Sequence, residues 1–268
     1  MDILKASYSL TSRDDRIRVV KGRKSPEVSN FKFVDFKMQG GPYYITKLDV
    51  IKTMDTFLDP EYRNLYGYEM EHLMDYLGRP TYVIKFSPLE KLDYLSYKGR
   101  LYIDKATSAL VHAEFELSRD GKKYARKALI RKKPKSYKVR PISLNYEVTY
   151  KRTQCKWNLN TAQTSVKFRI RSKKDRVNAV FHSISDLLVT RHELTEIKRF
   201  EREETFSSRD IFTEMIKEYD HEFWGKFNII KPTEDLEKAL EGISFQKDAN
   251  LKPSIKPSRF LTKKNKKR

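Results

Sequence analysis

Leu144-Asn145-Tyr146-Glu147-Val148-Thr149-Tyr150 is the stretch that decides how this chain folds. Apolar and polar residues alternate along it, the period of a strand with one face buried and the other in water. The same alternation lies on both sides of it. Downstream comes Val166-Lys167-Phe168-Arg169-Ile170; upstream come Val111-His112-Ala113-Glu114-Phe115-Glu116-Leu117, Leu101-Tyr102-Ile103 and Tyr82-Val83-Ile84-Lys85-Phe86. Turn-forming clusters separate these runs: Leu77-Gly78-Arg79-Pro80, Asp104 to Ser108, Arg152-Thr153-Gln154 and Ser172 to Arg176. Connections this short exclude parallel crossovers, which need a dozen or more residues, so an antiparallel meander is expected.

Helical signals are few, which makes the expected class α+β: an antiparallel sheet with a few short helices. Asp59-Pro60-Glu61 supplies a cap, a proline at the first helical position and an acidic first turn for a short helix towards Tyr66. Ser208-Arg209-Asp210 caps a second through Phe212, Met215 and Ile216, and Thr233-Glu234-Asp235 starts a third through Leu236, Ala239 and Leu240. The expected organisation is one β-rich domain over residues 1–246. A basic tail follows over 247–268, where aromatic residues thin out, Pro253 and Pro257 interrupt and the chain ends Lys263-Lys264-Asn265-Lys266-Lys267-Arg268; such a composition predicts disorder.

The 268 residues include 16 Tyr and 15 Phe, enough aromatic material to fill a core. A mean hydropathy of -0.73 and the lack of any apolar run near the roughly 20 residues that cross a bilayer exclude a membrane-spanning helix. Met1-Asp2-Ile3-Leu4-Lys5 has neither the basic flank nor the apolar stretch of a secretory signal. The net charge is +20, and it is concentrated. Eleven basic residues against Asp120 alone lie between Arg119 and Arg140, and nine against Asp248 alone between Lys247 and Arg268, leaving a body close to neutral.

Motifs of catalysis and metal binding are absent. His72, His112, His182, His192 and His221 fall at no zinc-ligand spacing and read as exposed strand or loop residues. Asp14-Asp15, Glu201 with Glu203-Glu204, and Asp220 with Glu222 are adjacent charges that strands send to opposite faces rather than catalytic dyads. Cys155 sits in Gln154-Cys155-Lys156 at a hairpin end, outside any nucleophile motif and without a second cysteine for a disulfide. Gln39-Gly40-Gly41-Pro42-Tyr43 lacks the Lys-Ser/Thr of a phosphate loop and reads as a tight turn. Trp224, in Asp220-His221-Glu222-Phe223-Trp224-Gly225, reads as an aromatic plug. No cofactor is expected.

The best candidate for contact with another molecule is Lys122 to Lys135. Its cations Lys122, Lys123, Arg126, Lys127, Arg131, Lys132, Lys133 and Lys135 would attract phosphates of an anionic lipid surface or of nucleic acid. The plainer reading is a solvated charged loop. No RNA-recognition aromatics, zinc knuckle or recognition-helix pattern accompanies it, which weighs against a sequence-specific nucleic-acid reader.

Several strings together resemble the region that follows the small β-sandwich in Bacteroidetes carboxypeptidase-like regulatory domain-containing proteins. They are Phe36-Lys37-Met38-Gln39-Gly40-Gly41-Pro42-Tyr43, Tyr97-Lys98-Gly99-Arg100-Leu101-Tyr102-Ile103-Asp104, Asp210-Ile211-Phe212-Thr213 and Phe223-Trp224-Gly225-Lys226-Phe227-Asn228-Ile229-Ile230-Lys231-Pro232. The resemblance spans roughly residues 1 to 243. The Gly-x-Leu-Tyr-Ile-Asp string and the strand near Leu110 to Leu117 also resemble the hairpin of outer-membrane lipoprotein carriers, whose curved sheet, a half-barrel, wraps helices. The carboxypeptidase-like regulatory domain-containing family usually begins with a signal peptide and the sandwich. The resemblance therefore implies the periplasm or the outer-membrane face if such a leader precedes Met1, and the cytoplasm if Met1 is the start. It carries no peptidase activity, since zinc-peptidase ligands are missing.

These readings lead to an expected function. It is a non-enzymatic cell-envelope domain whose curved antiparallel sheet holds an apolar ligand or a partner protein, with the Lys122 to Lys135 patch on an anionic membrane surface. The alternative is a cytoplasmic protein binding nucleic acid non-specifically through its two basic segments.

Overall fold

The computed structural model describes residues 1–4, 16–22, 37–38, 41–53, 57–153, 155–207, 210, 212–216 and 222–223. Strands β1 (Asp2–Leu4), β2 (Arg16–Arg18) and β3 (Lys37–Met38) come first, then helix α1 (Gly41–Ile45), a 3-10 turn over Thr46–Leu48 and helix α2 (Val50–Thr53). Next are β4 (Tyr66–Tyr76), β5 (Arg79–Pro88), β6 (Tyr97–Asp104), β7 (Leu110–Leu117), helix α3 (Gly121–Leu129) and β8 (Ile130–Lys132). The chain continues through β9 (Lys138–Thr153), β10 (Lys156–Ser172), β11 (Val177–Leu188), β12 (Thr205–Phe206) and α4 (Phe212–Met215).

Seven strands form one antiparallel sheet in the order β11-β10-β9-β7-β6-β5-β4, an open, curved sheet of an α+β fold. Each predicted strand lies in it, and the predicted turn clusters join its hairpins. Leu77 and Gly78 turn β4 into β5 with φ of 54° and 77°, the left-handed pair of a tight hairpin. At the β6–β7 turn the carboxylate of Asp104 accepts from Thr107 N at 2.8 Å and Thr107 Oγ1 at 2.6 Å. Cys155 is exposed at the β9–β10 turn with φ of 63°.

Alternation sorts the side chains onto two faces. Phe86, Leu101, Ala113, Phe115, Leu144, Val148, Ala162 and Val166 are buried on the apolar face. Ile45, Leu48, Val50 and Phe57 cover them from α1, α2 and their connections. Phe57, fully buried, stacks on Phe86 with centroids 4.4 Å apart and meets Phe115 at 5.2 Å. A buried hydrogen bond of 3.0 Å from Tyr150 Oη to Asp49 Oδ1 ties this layer to β9. Burial, then the neighbouring carboxylate, pushes the Tyr150 phenol far above its ordinary range.

Three expectations are corrected. The helix expected from Asp59 is a turn, followed by a 3-10 turn over Arg63–Leu65; Asp59 Oδ1 accepts from Glu61 N at 2.9 Å, but Tyr66 already belongs to β4. The basic segment is not a loop throughout: residues 121–129 are helical and 130–132 pair with β3. His112 is buried at 8% exposure, whereas His72, His182 and His192 are exposed as expected. The helix expected after Ser208 is present as α4, and Ile216 lies past its end. Ser208, Arg209, Gln39, Gly40, Asp14, Asp15, Asp220, His221, Trp224, the helix expected from Thr233 and the basic tail lie outside the described residues.

Candidate functional site

Two places bring functional side chains together: the cationic helix α3 and a trough on the polar face of the sheet. Helix α3 begins where β7 ends, and its start is built from small residues. Ser118 N donates to Ser96 O at 2.9 Å, the two hydroxyls share a buried 2.7 Å hydrogen bond, and Gly121 N donates to Ser118 Oγ at 2.9 Å. Gly121 is required by close approach, because a Cβ there would fall on the Ser96 carbonyl oxygen. Ala125, with no exposed surface, seats the helix on the core, and Leu129 one turn later is partly buried against it.

The helix is thereby held with Lys122, Lys123 and Arg126 exposed. Lys135, Lys138 and Arg140 extend the exposed cationic surface, and Lys133 is half-buried. Side chains of Lys127, Arg131 and Lys132 lie outside the described part of the structure. Lys123 Nζ pairs with Asp120 Oδ1 at 2.7 Å and holds that carboxyl below its ordinary range. Two lysines in the first turn oppose the helix dipole, which favours anions there, so the helix carries its cations against local preference.

The trough was not foreseen from sequence. It encloses about 440 Å³ across β5, β6, β7, β9 and β10. The register runs Glu69, Lys85, Arg100, Glu114, Glu147, Gln163 and Asp186 straight across all seven strands. In this row β5 and β6 carry the cations Lys85 and Arg100, and β7 and β9 the anions Glu114 and Glu147. Glu114 lies opposite Glu147, a like-charge pairing that costs stability. Glu114 is offset by Arg100 Nη1 at 3.3 Å and by Tyr102 Oη, which donates to Glu114 Oε1 at 3.0 Å.

Arg100 also donates from Nε to Glu71 Oε2 at 2.6 Å, and a β-bulge between Met70 and His72 delivers Glu71 to that position. Burial, reinforced by Glu114, pushes the Tyr102 phenol up to about 12, so it donates rather than ionises at neutral pH. His112 stacks on Tyr102 at 4.5 Å and lies beside Tyr76 at 5.4 Å. Its Nε2 is 3.3 Å from Glu147 Oε1, outside hydrogen-bond geometry, and burial outweighs that carboxylate to lower its pKa. Glu71 and Glu114 are thus committed to Arg100, and the Tyr102 phenol to Glu114.

A third surface is apolar. Met70 and Leu73 of edge strand β4 are 64% and 50% exposed, and they pair across to Ile84 and Tyr82 on the sheet's apolar side. Among the described residues no group of three or more His, Cys, Asp or Glu could hold a metal ion. No helix of the described residues is long and apolar enough to cross a membrane. Compared with known protein families, with curated proteins and with solved structures, the chain matches none.

Proposed function

We propose that this chain is a non-enzymatic cell-envelope domain that docks on an anionic membrane surface through the cationic face of α3. The observation that carries this reading is the exposure of Lys122, Lys123 and Arg126 on a helix whose opposite side is anchored through Ala125 and Gly121. Cations near an anionic bilayer contribute about 1 kcal/mol each. The apolar stripe of Met70 and Leu73 is the surface for an apolar ligand or a partner protein. The envelope setting rests on the family resemblance and on this surface chemistry together.

The test is co-sedimentation of the full chain with vesicles of phosphatidylcholine mixed with phosphatidylglycerol, against phosphatidylcholine alone. Binding is expected only to the anionic vesicles. The variant Lys122→Glu, Lys123→Glu, Arg126→Glu, which keeps the basic tail, is expected to lose roughly a hundredfold in partitioning. Undiminished binding by that variant would remove α3 from the role. Stronger binding to random-sequence duplex DNA, falling steeply with salt, would favour the nucleic-acid alternative.

A further inference from the structure

Strand β11 ends the sheet and has no second strand partner among the described residues. Exposed edges are ordinarily protected by lysine, proline, bulges or shortness. Edge β4 follows that rule, with Glu69, Glu71, Asp75 and a bulge. Edge β11 does not. Over twelve residues, Val177-Asn178-Ala179-Val180-Phe181-His182-Ser183-Ile184-Ser185-Asp186-Leu187-Leu188, it carries no lysine or arginine, although the chain has 56. Its pairing with β10 runs without a bulge from Val177 to Leu188.

The ladder fixes which backbone groups face outward. Val189 N donates to Asn160 O at 2.8 Å, so odd-numbered residues of β11 bond to β10 and even-numbered ones turn their N–H and C=O to the open side. We propose that this edge pairs with the β11 of a second copy, antiparallel about a two-fold axis at His182. In that register Val180 of each copy faces Ile184 of the other. These are the exposed large apolar residues of the strand, at 52% and 55%. Asn178 faces Asp186, and the amide oxygen of Asn178 already accepts from Arg171 Nε at 3.2 Å, leaving its N–H groups to donate to the carboxylate. A slip by two residues sets Val180 against His182 or Asp186 and loses both matches. The pairing continues the sheet through the same backbone bonds that build it.

Sedimentation velocity of the full chain at tens of micromolar is expected to show twice 31.9 kDa. Ile184→Lys is expected to return the monomer with an unchanged circular-dichroism spectrum, since its side chain is exposed. In a Cys155→Ser background, His182→Cys is expected to form a disulfide-linked dimer under mild oxidation, because residues opposite in a hydrogen-bonded pair sit about 5.5 Å apart. Asn178→Cys is the control; its two copies would lie roughly 27 Å apart and stay unlinked. A monomeric wild-type chain, or equal crosslinking at 178 and 182, would overturn the proposal.

Discussion

Buried His112 makes a pH prediction. Burial lowers its pKa below the ordinary 6.5, so in the pH window beneath 6.5 the unfolded chain takes up the proton first and the fold loses stability. Urea midpoints measured between pH 8 and pH 5 are expected to fall in the wild type and to fall less in His112→Gln. Asp104 acts in a separate window. Arg79, followed by burial and Thr107, sets its balance, and the carboxyl is held well below 3.8. Its stabilisation is therefore present above 3.8 and lost only as pH falls further. Asp104→Ala leaves Thr107 N without its acceptor, while Arg79, partly exposed, rehydrates. A loss of about 2 kcal/mol in unfolding free energy is expected by chemical denaturation. Sequence did not reveal His112 as buried, because its place between Tyr76 and Tyr102 depends on the pairing of three strands.

At the scale of elements, Gly121→Ala is expected to destabilise by about 1–3 kcal/mol, since the added methyl drives α3 off Ser96. Thermal unfolding checks this, and anionic-vesicle binding should fall with it. Strands β5, β6, β7, β9 and β10 were legible because each alternates cleanly. Edge strands β4 and β11 were not. The bulge at Met70/His72 breaks the period of β4, and β11 carries small or polar Ala179, Ser183 and Ser185 on the side where central strands are apolar. Helix α3 was hidden by its own charge: only Ala125 and Leu129, one turn apart, mark its buried side. Its cations could be picked out from sequence as a candidate contact segment, but the trough could not, because Glu114, Arg100 and Glu147 become neighbours only through register.

For the whole molecule, the aromatic wedge from outside the sheet matters most. Phe57→Ala should cost about 3–5 kcal/mol, because the ring fills the space between Phe86, Tyr97 and Phe115. Leu194→Ala, at a side chain 97% exposed, should shift stability by less than about 0.5 kcal/mol. Denaturant titrations of the two variants make the comparison. The overall class was readable from strand spacing, yet the covering layer was not, since α1 and α2 are too short to show a helical period. The order of the sheet also has a kinetic consequence. All seven strands lie in chain order and only the β7–β9 step passes over other elements, α3 and β8, so contacts are local for a β protein and folding should be quick for its size. During synthesis each hairpin can add to the one already made, and β11, completed last, leaves the ribosome as the growing end of the sheet.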